Sequence, residues 1–215
     1  MRKLLKKEIS LSMHPTAAIF LLLSMMLLIP NYPYYVIFFY TSLAIFFTCL
    51  LGRENNDVFF SMMLPIHKKD IVKARISFVV LLELAQIIIA IPFAFLRQSM
   101  PVPPNEVGMG ANITLFGFSF IMLGVFNLVF FSIYYKDVTK VGVAFNISCI
   151  IVSLYITVAE TCAHVVPFVK NYLNTNDTQY IPYKLIVLVI GIVIYAALTF
   201  VAYNKSVKSF EKLDL

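Results

Sequence analysis

Long apolar runs separated by short charged clusters set the pattern of this chain. A helix needs ~20 residues to cross ~30 Å of hydrocarbon. By that measure the runs predict six membrane spans, at about 14–30, 34–51, 76–96, 113–134, 141–159 and 185–203. Runs such as Leu185 to Tyr203 are continuously apolar rather than alternating with period two. That pattern excludes a transmembrane β-barrel and predicts an all-α integral membrane protein. The first span is the least regular, because His14-Pro15 precedes it, Pro30 closes it and the core from Thr16 to Ile29 is short for a crossing. It is expected to thin the bilayer locally or to start obliquely. Arg2, Lys3, Lys6 and Lys7 ahead of an apolar run also fit a cleaved signal peptide. The run ends in Asn31-Tyr-Pro-Tyr-Tyr with no small-residue cleavage site, so a retained span is the preferred expectation.

Composition agrees with the pattern. The 215 residues are 60% hydrophobic and 13% charged, with mean hydropathy +0.87, against roughly 45–50% and about 25% in soluble chains. A water-facing surface would have to be built from Phe, Leu, Ile and Val, so the bilayer is the solvent. The net charge of +6 reads as topology, not as nucleic-acid binding, because the cations do not gather on a polar module. With alternating spans, Arg2, Lys3, Lys6, Lys7, Arg53, Lys68, Lys69, Lys73, Arg75, Lys136, Lys140, Lys205, Lys208 and Lys212 fall on one side, and only Arg97, Lys170 and Lys184 on the other. The positive-inside rule then places both termini in the cytoplasm. Tyr32, Tyr34, Tyr35, Tyr134, Tyr135, Tyr183 and Tyr203 sit at the expected boundaries, where a ring buries its body and wets its hydroxyl. Cys49, Cys149 and Cys162 are scattered and imply neither a disulfide framework nor a CxxC metal site.

Residues 1–13, MRKLLKKEISLSM, place Met1, Leu4, Leu5 and Ile9 near helical spacing, with Lys3, Lys6 and Lys7 on the remaining arc. This predicts an interfacial amphipathic helix on the cytoplasmic surface, its lysines toward anionic headgroups. The connection from Gly52 to Arg75 departs from the short polar loops expected between spans. Asn55 or Asn56 is placed to cap a short helix with Asp57 in its first turn, and Pro65 stops it soon after Met63. Phe59, Phe60, Met62, Met63 and Leu64 give that helix more apolar surface than a solvated loop needs. Two readings stay open on physics alone: the cluster dips into the headgroups or packs under the bundle, or it docks a partner.

The string from Glu54 through Asp57 and Ser61 to Leu64-Pro65-Ile66-His67-Lys68-Lys69-Asp70-Ile71-Val72-Lys73-Ala74-Arg75 resembles the cytoplasmic motif of type-2 ABC exporter permeases. An acidic, Asn-rich start, a Leu-Pro turn, a basic pair and an Ile-Val-x-Ala-Lys/Arg opening of span three recur there in that family. His67 stands where the family often has a small polar residue, and Arg75 where Lys is common. The six-span layout with its N-terminal helix extends the resemblance over nearly the whole chain. Within the family the likeness leans toward small permeases that export amphipathic peptides, phenol-soluble-modulin exporters among them.

The resemblance implies a permease in a multi-pass bacterial plasma membrane that hydrolyses no ATP itself. The sequence agrees, since none of its glycines is followed by Lys and no GxxxxGK[ST] is present. ATP and Mg are expected in a separate ABC ATPase subunit, gripped by a coupling helix within residues 54–70. Its contacts would be Asp57, Phe59, Phe60, Met62, Met63 and Leu64, with Glu54, His67, Lys68 and Asp70 as a polar rim. A second permease copy, a homodimer in the simplest case, would complete the assembly, with no nucleic-acid partner. The cytoplasmic turn from Tyr135 to Lys140 is expected to be a simple connector.

Few polar groups lie within the spans. Glu83 sits near the middle of span three with Gln86 on the same face, and either faces a cavity or partner or hydrogen-bonds across the bundle. In the first case the chain would be a proton-coupled secondary transporter, the rival to ATP-driven export of amphipathic peptides or lipid-like molecules. Asn127 and Asn146 are expected to bond between helices rather than to line the path, and Gly117 and Gly124 to mark a close helix contact. Residues 160–182 form an external stretch in which Ala163 to Val169 is apolar enough to re-enter the membrane. Glu160 and His164 are too few for a metal and read as a capped helix end. Asn176-Asp-Thr matches a glycosylation sequon, and Pro101, Pro103 and Pro104 mark an irregular loop.

Overall fold

The structure is a computed structural model and describes residues 2–101, 103, 105–175 and 177–213. Met1 of the N-terminal helix, Pro104 of the proline-rich loop and Asn176 of the sequon lie outside the described residues. The described residues are helical with no strand. Helix α1 (Arg2–Lys7) runs into a π-helical turn, Glu8–Ser12. Helix α2 (Thr16–Leu22) tightens into a 3-10 stretch, Leu23–Leu28. Helices α3 (Tyr35–Glu54), α4 (Asp57–Met62), α5 (Lys68–Ser99), α6 (Ile113–Tyr134) and α7 (Val141–Val165) follow. A π-helical turn, Val169–Leu173, and a 3-10 turn, Thr178–Tyr180, then lead into α8 (Ile181–Glu211).

Helices α3, α5, α6, α7 and α8 are each long and apolar enough to cross a membrane. The run predicted over 14–30 is different. Thr16–Leu28 is bent by 87° from Lys3–Ser12 at the His14-Pro15 break. Its α and 3-10 turns together reach only roughly 22 Å, short of the ~30 Å hydrocarbon. The count is therefore five full spans, or six if the bent pair is taken as one. The long helices also outrun their apolar cores. Helix α5 starts at Lys68 rather than near 76, α7 continues to Val165, and α8 extends from Ile181 to Glu211, because charged and polar ends carry a helix on past the hydrocarbon.

Helix α6 is the most enclosed of the spans and α8 lies closest to it. A Cβ on Gly117 would meet the Val187 carbonyl oxygen at 2.9 Å, one on Gly124 would meet the Tyr195 Cα at 3.0 Å, and one on Gly191 would overlap the Gly117 backbone. The Gly117 and Gly124 spacing thus marks a close crossing as expected, with Gly191 as its counterpart on α8. Below the crossing, Phe126, Phe130 and Tyr134 stack at successive i,i+4 steps, with centroids 5.2 and 5.7 Å apart, and Tyr135 then meets Phe210 of α8 edge-on. Val143, Ile150, Leu154 and Val158 of α7, with Val189, Val193 and Phe200 of α8, remain exposed on the outer faces.

Candidate functional site

The chain turns sharply between α3 and α4. Asn56 adopts a left-handed backbone (φ 51°), which Asn tolerates better than most residues. Neither Asn55 nor Asn56 caps α4 with its side chain, so the cap expected from sequence is replaced by a backbone turn. Pro65 lies just beyond the end of α4. Val58 and Ser61 face inward, while Phe59, Phe60, Met63 and Leu64 are exposed, Phe60 at 61% and Met63 at 68%. Met62 is half-buried. Recesses of about 140 and 290 Å³ flank the helix, the first lined in part by Phe59, Val138 and Thr139 and the second by Phe60, Leu11 and Asn55. Helix α4 thus stands proud between two hollows with its largest apolar side chains pointing out.

Asp57 points the other way. Its carboxylate accepts from Arg75 Nη2 at 2.5 Å and pairs with Lys7 Nζ at 2.5 Å. Lys7 also donates to Ser61 Oγ at 2.8 Å and lies 3.2 Å from Glu8. Arg75 Nε approaches Glu8 Oε2 at 2.6 Å, an ionic contact without the alignment of a hydrogen bond. Two cations and two carboxylates therefore close a neutral cluster that ties the N-terminal elbow and α4 to the start of α5. Ser12 adds a hydrogen bond to Asp57, and Gly52 of α3 lies against the guanidinium. This places two predicted residues otherwise than expected. Lys7 turns into the cluster instead of toward headgroups, and Asp57 is held there instead of being offered to a partner. Both moves follow from the cost of leaving Arg75 and Glu8, which are almost fully buried, without counter-charges. Lys3 and Lys6 remain exposed, as does Ile9, which was expected on the apolar arc with Leu4 and Leu5; the π-helical turn from Glu8 shifts that arc.

The remaining rim residues divide. Glu54 and His67 are exposed, and Asp70 is partly buried in the first turn of α5. Lys68 reaches across to the end of α8, donating to the Leu213 carbonyl at 2.6 Å and approaching that of Glu211 at 3.4 Å, where a cation suits unsatisfied carbonyls. The second turn is self-contained. Asp137 accepts from the Thr139 hydroxyl and backbone N–H and pairs with Lys140, which together hold its carboxyl down to about 2.

Glu83 is fully buried between α5, α6 and α8. Tyr195 donates to its Oε2 at 2.6 Å and Asn127 at 3.0 Å, and Asn127 also reaches Thr199. No cation among the described residues pairs with it. Gln86, placed beside Glu83 by spacing, turns instead to Ser24 of the 3-10 stretch at 2.8 Å. The two therefore serve different helix contacts. Asn127 bonds between helices as expected, whereas Asn146 is exposed on the outside of α7. Glu160 accepts from the Met109 backbone at 2.7 Å, closing the Gln98 to Gly110 loop onto α7.

A helical bundle with five helices long and apolar enough to cross a membrane has the make-up of a polytopic membrane protein. A family model described as ABC-2 family transporter protein matches residues 3–211, and the chain belongs to that family. Membership makes it a membrane-embedded transport component that is not itself catalytic, and implies an ABC ATPase partner. No curated protein and no solved structure matches the chain.

Sequence reasoning did not assign Glu8 a role. The available signal was a lone carboxylate among the lysines of residues 1–13, opposite an Arg75 that stands at the mouth of an apolar run.

Proposed function

We propose that the chain is the permease half of an ATP-driven exporter in a bacterial plasma membrane, with α4 on the cytoplasmic side as the element gripped by a separate ATPase. What carries the reading is the division of α4: Val58, Ser61 and Asp57 are committed inward, while Phe59, Phe60 and Met63 are left to a partner. Aromatic and Met side chains presented together make the apolar heart of such a contact. Motion of the ATPases would reach the spans through the ion cluster, which makes α4, the elbow and α5 one mechanical unit.

A second permease copy belongs to the same reading. The exposed face of α7 carries Asn146, Ser153 and Thr157 among apolar residues, and such groups are enriched where membrane helices meet. The cargo is an amphipathic peptide or lipid-like molecule, in keeping with an interior of aromatic and aliphatic side chains. The test is reconstitution in proteoliposomes, alone and with its co-purifying ATPase, using a fluorescent amphipathic peptide. Transport is expected only when both the ATPase and ATP are present. Movement of the peptide by the permease alone would overturn the reading.

A further inference from the structure

The three cations at the end of the bundle opposite α4 line two neighbouring cavities that share Gln98. Arg97, at the end of α5, is only 7% exposed. Its Nε donates to the Tyr34 hydroxyl and its Nη2 to the Pro103 carbonyl, both at 3.0 Å. Lys170, exposed on the turn after α7, lines the same 470 Å³ polar pocket, together with Gln98, Asn171 and Asn174. Gln98 also borders a second cavity of 510 Å³ between α5, α6 and α8. That cavity is walled by Ile87, Ile91, Phe95, Phe116, Leu188 and Ile192 and topped by Lys184. Lys184 is 3% exposed and is held by the Thr175 and Asp177 carbonyls.

No carboxylate among the described residues lines either cavity. Among the described residues, none of the three cations forms an ion pair. Arg97 and Lys184 are withdrawn from water, where charges are ordinarily paired, and the contrast with the balanced cluster at the other end is direct. The molecule therefore presents a cationic, polar pocket joined at Gln98 to an apolar cleft of a size typical for ligands. Phe95, one of its walls, is also exposed on the outer face of α5, where lipid chains would lie.

From this juxtaposition we infer that the site holds an anionic membrane phospholipid, its phosphate against Arg97 and Lys170 and one acyl chain along the cleft between α5 and α8. Its occupant is a lipid of the leaflet away from α4, and the inference stands whether or not the chain exports amphipathic peptides. A lipid seated there would brace the Gln98 to Gly110 loop against α5 and α8.

Native mass spectrometry of the detergent-purified chain, titrated with phosphatidylglycerol, phosphatidylcholine and glycerol phosphate, tests it. Phosphatidylglycerol is expected to bind tightest, with glycerol phosphate, lacking acyl chains, not retained. Removing one cation should weaken phosphatidylglycerol about fivefold, the weight of one Lys or Arg against an anionic lipid, and should leave phosphatidylcholine nearly unchanged. Arg97→Gln removes the buried cation. Lys170→Gln, on an exposed side chain, does so without touching the packing. Ile91→Trp should fill the cleft and weaken both lipids. Equal binding of the two lipids by the wild-type chain, or an unchanged preference in Lys170→Gln and Arg97→Gln, would overturn the assignment. So would glycerol phosphate binding as tightly as the intact lipid.

Discussion

Glu8 and Asp57 at the elbow and Glu83 in the middle of the bundle are all carboxylates withdrawn from water, yet they are stabilised in different ways. The elbow pair meets Lys7 and Arg75 at 2.5–3.2 Å, charge for charge. Glu83 meets a phenol and an amide instead, and one of its oxygens has no partner. The first arrangement is brittle, because removing any member strands a charge where water cannot reach it. The second is tolerant, because an uncharged acceptor of the same shape keeps the hydrogen bonds. The difference teaches where the fold relies on charge: ion pairing ties α4 to the elbow and α5, while neutral hydrogen bonds suffice between α5, α6 and α8, whose backbones already pack closely at the glycines of α6 and α8.

The largest effect should come from breaking the balance at the elbow. Arg75→Leu leaves Glu8 and Asp57 facing Lys7 alone and is expected to cost about 3–5 kcal/mol, read as thermal unfolding in detergent. Adding Glu8→Gln, which leaves the Lys7–Asp57 pair intact, should return most of that loss. If the double variant is no more stable than Arg75→Leu, the four groups do not act as one balanced cluster. At the other extreme, Glu83→Gln can still accept from Tyr195 and Asn127, and should cost less than about 0.6 kcal/mol, the average for losing a hydrogen bond between membrane helices. A loss as large as that of Arg75→Leu would erase the distinction between the two regions. The same variant should leave ATPase-dependent transport running, whereas a proton carrier at this position would stop.

Much of the architecture could be read from apolar run lengths, since the hydrocarbon thickness dictates them. Helix α6 was legible to the residue, and α4 nearly so, because Pro65 and the Asn pair punctuate it. Thr16–Leu28 resisted, since a run interrupted by His14-Pro15 and Pro30 carries no signal for its 3-10 form or its 87° bend. The Gly117 and Gly124 spacing was informative because only a missing Cβ permits that approach to α8. Which way a charged side chain points was not legible. Lys7 and Asp57 look like surface groups in sequence, and only the fold, which brings residues separated by tens of positions together around Arg75, turns them inward. The reach of Lys68 to the far end of α8 was hidden from the sequence for the same reason. Gln86 shared a face with Glu83 by spacing, but the packing of the 3-10 stretch against α5 claimed it.

The account turns on α4 being fixed from within so that its outer face is free to be gripped. Co-purification of the cognate ABC ATPase with the wild-type chain and with Phe60→Asp/Met63→Asp tests that most directly, because both side chains are exposed and the fold does not depend on them. The ATPase should come down with the wild type and be lost from the double variant, while the unfolding temperature of the permease stays the same. Full retention of the ATPase by the variant would contradict it.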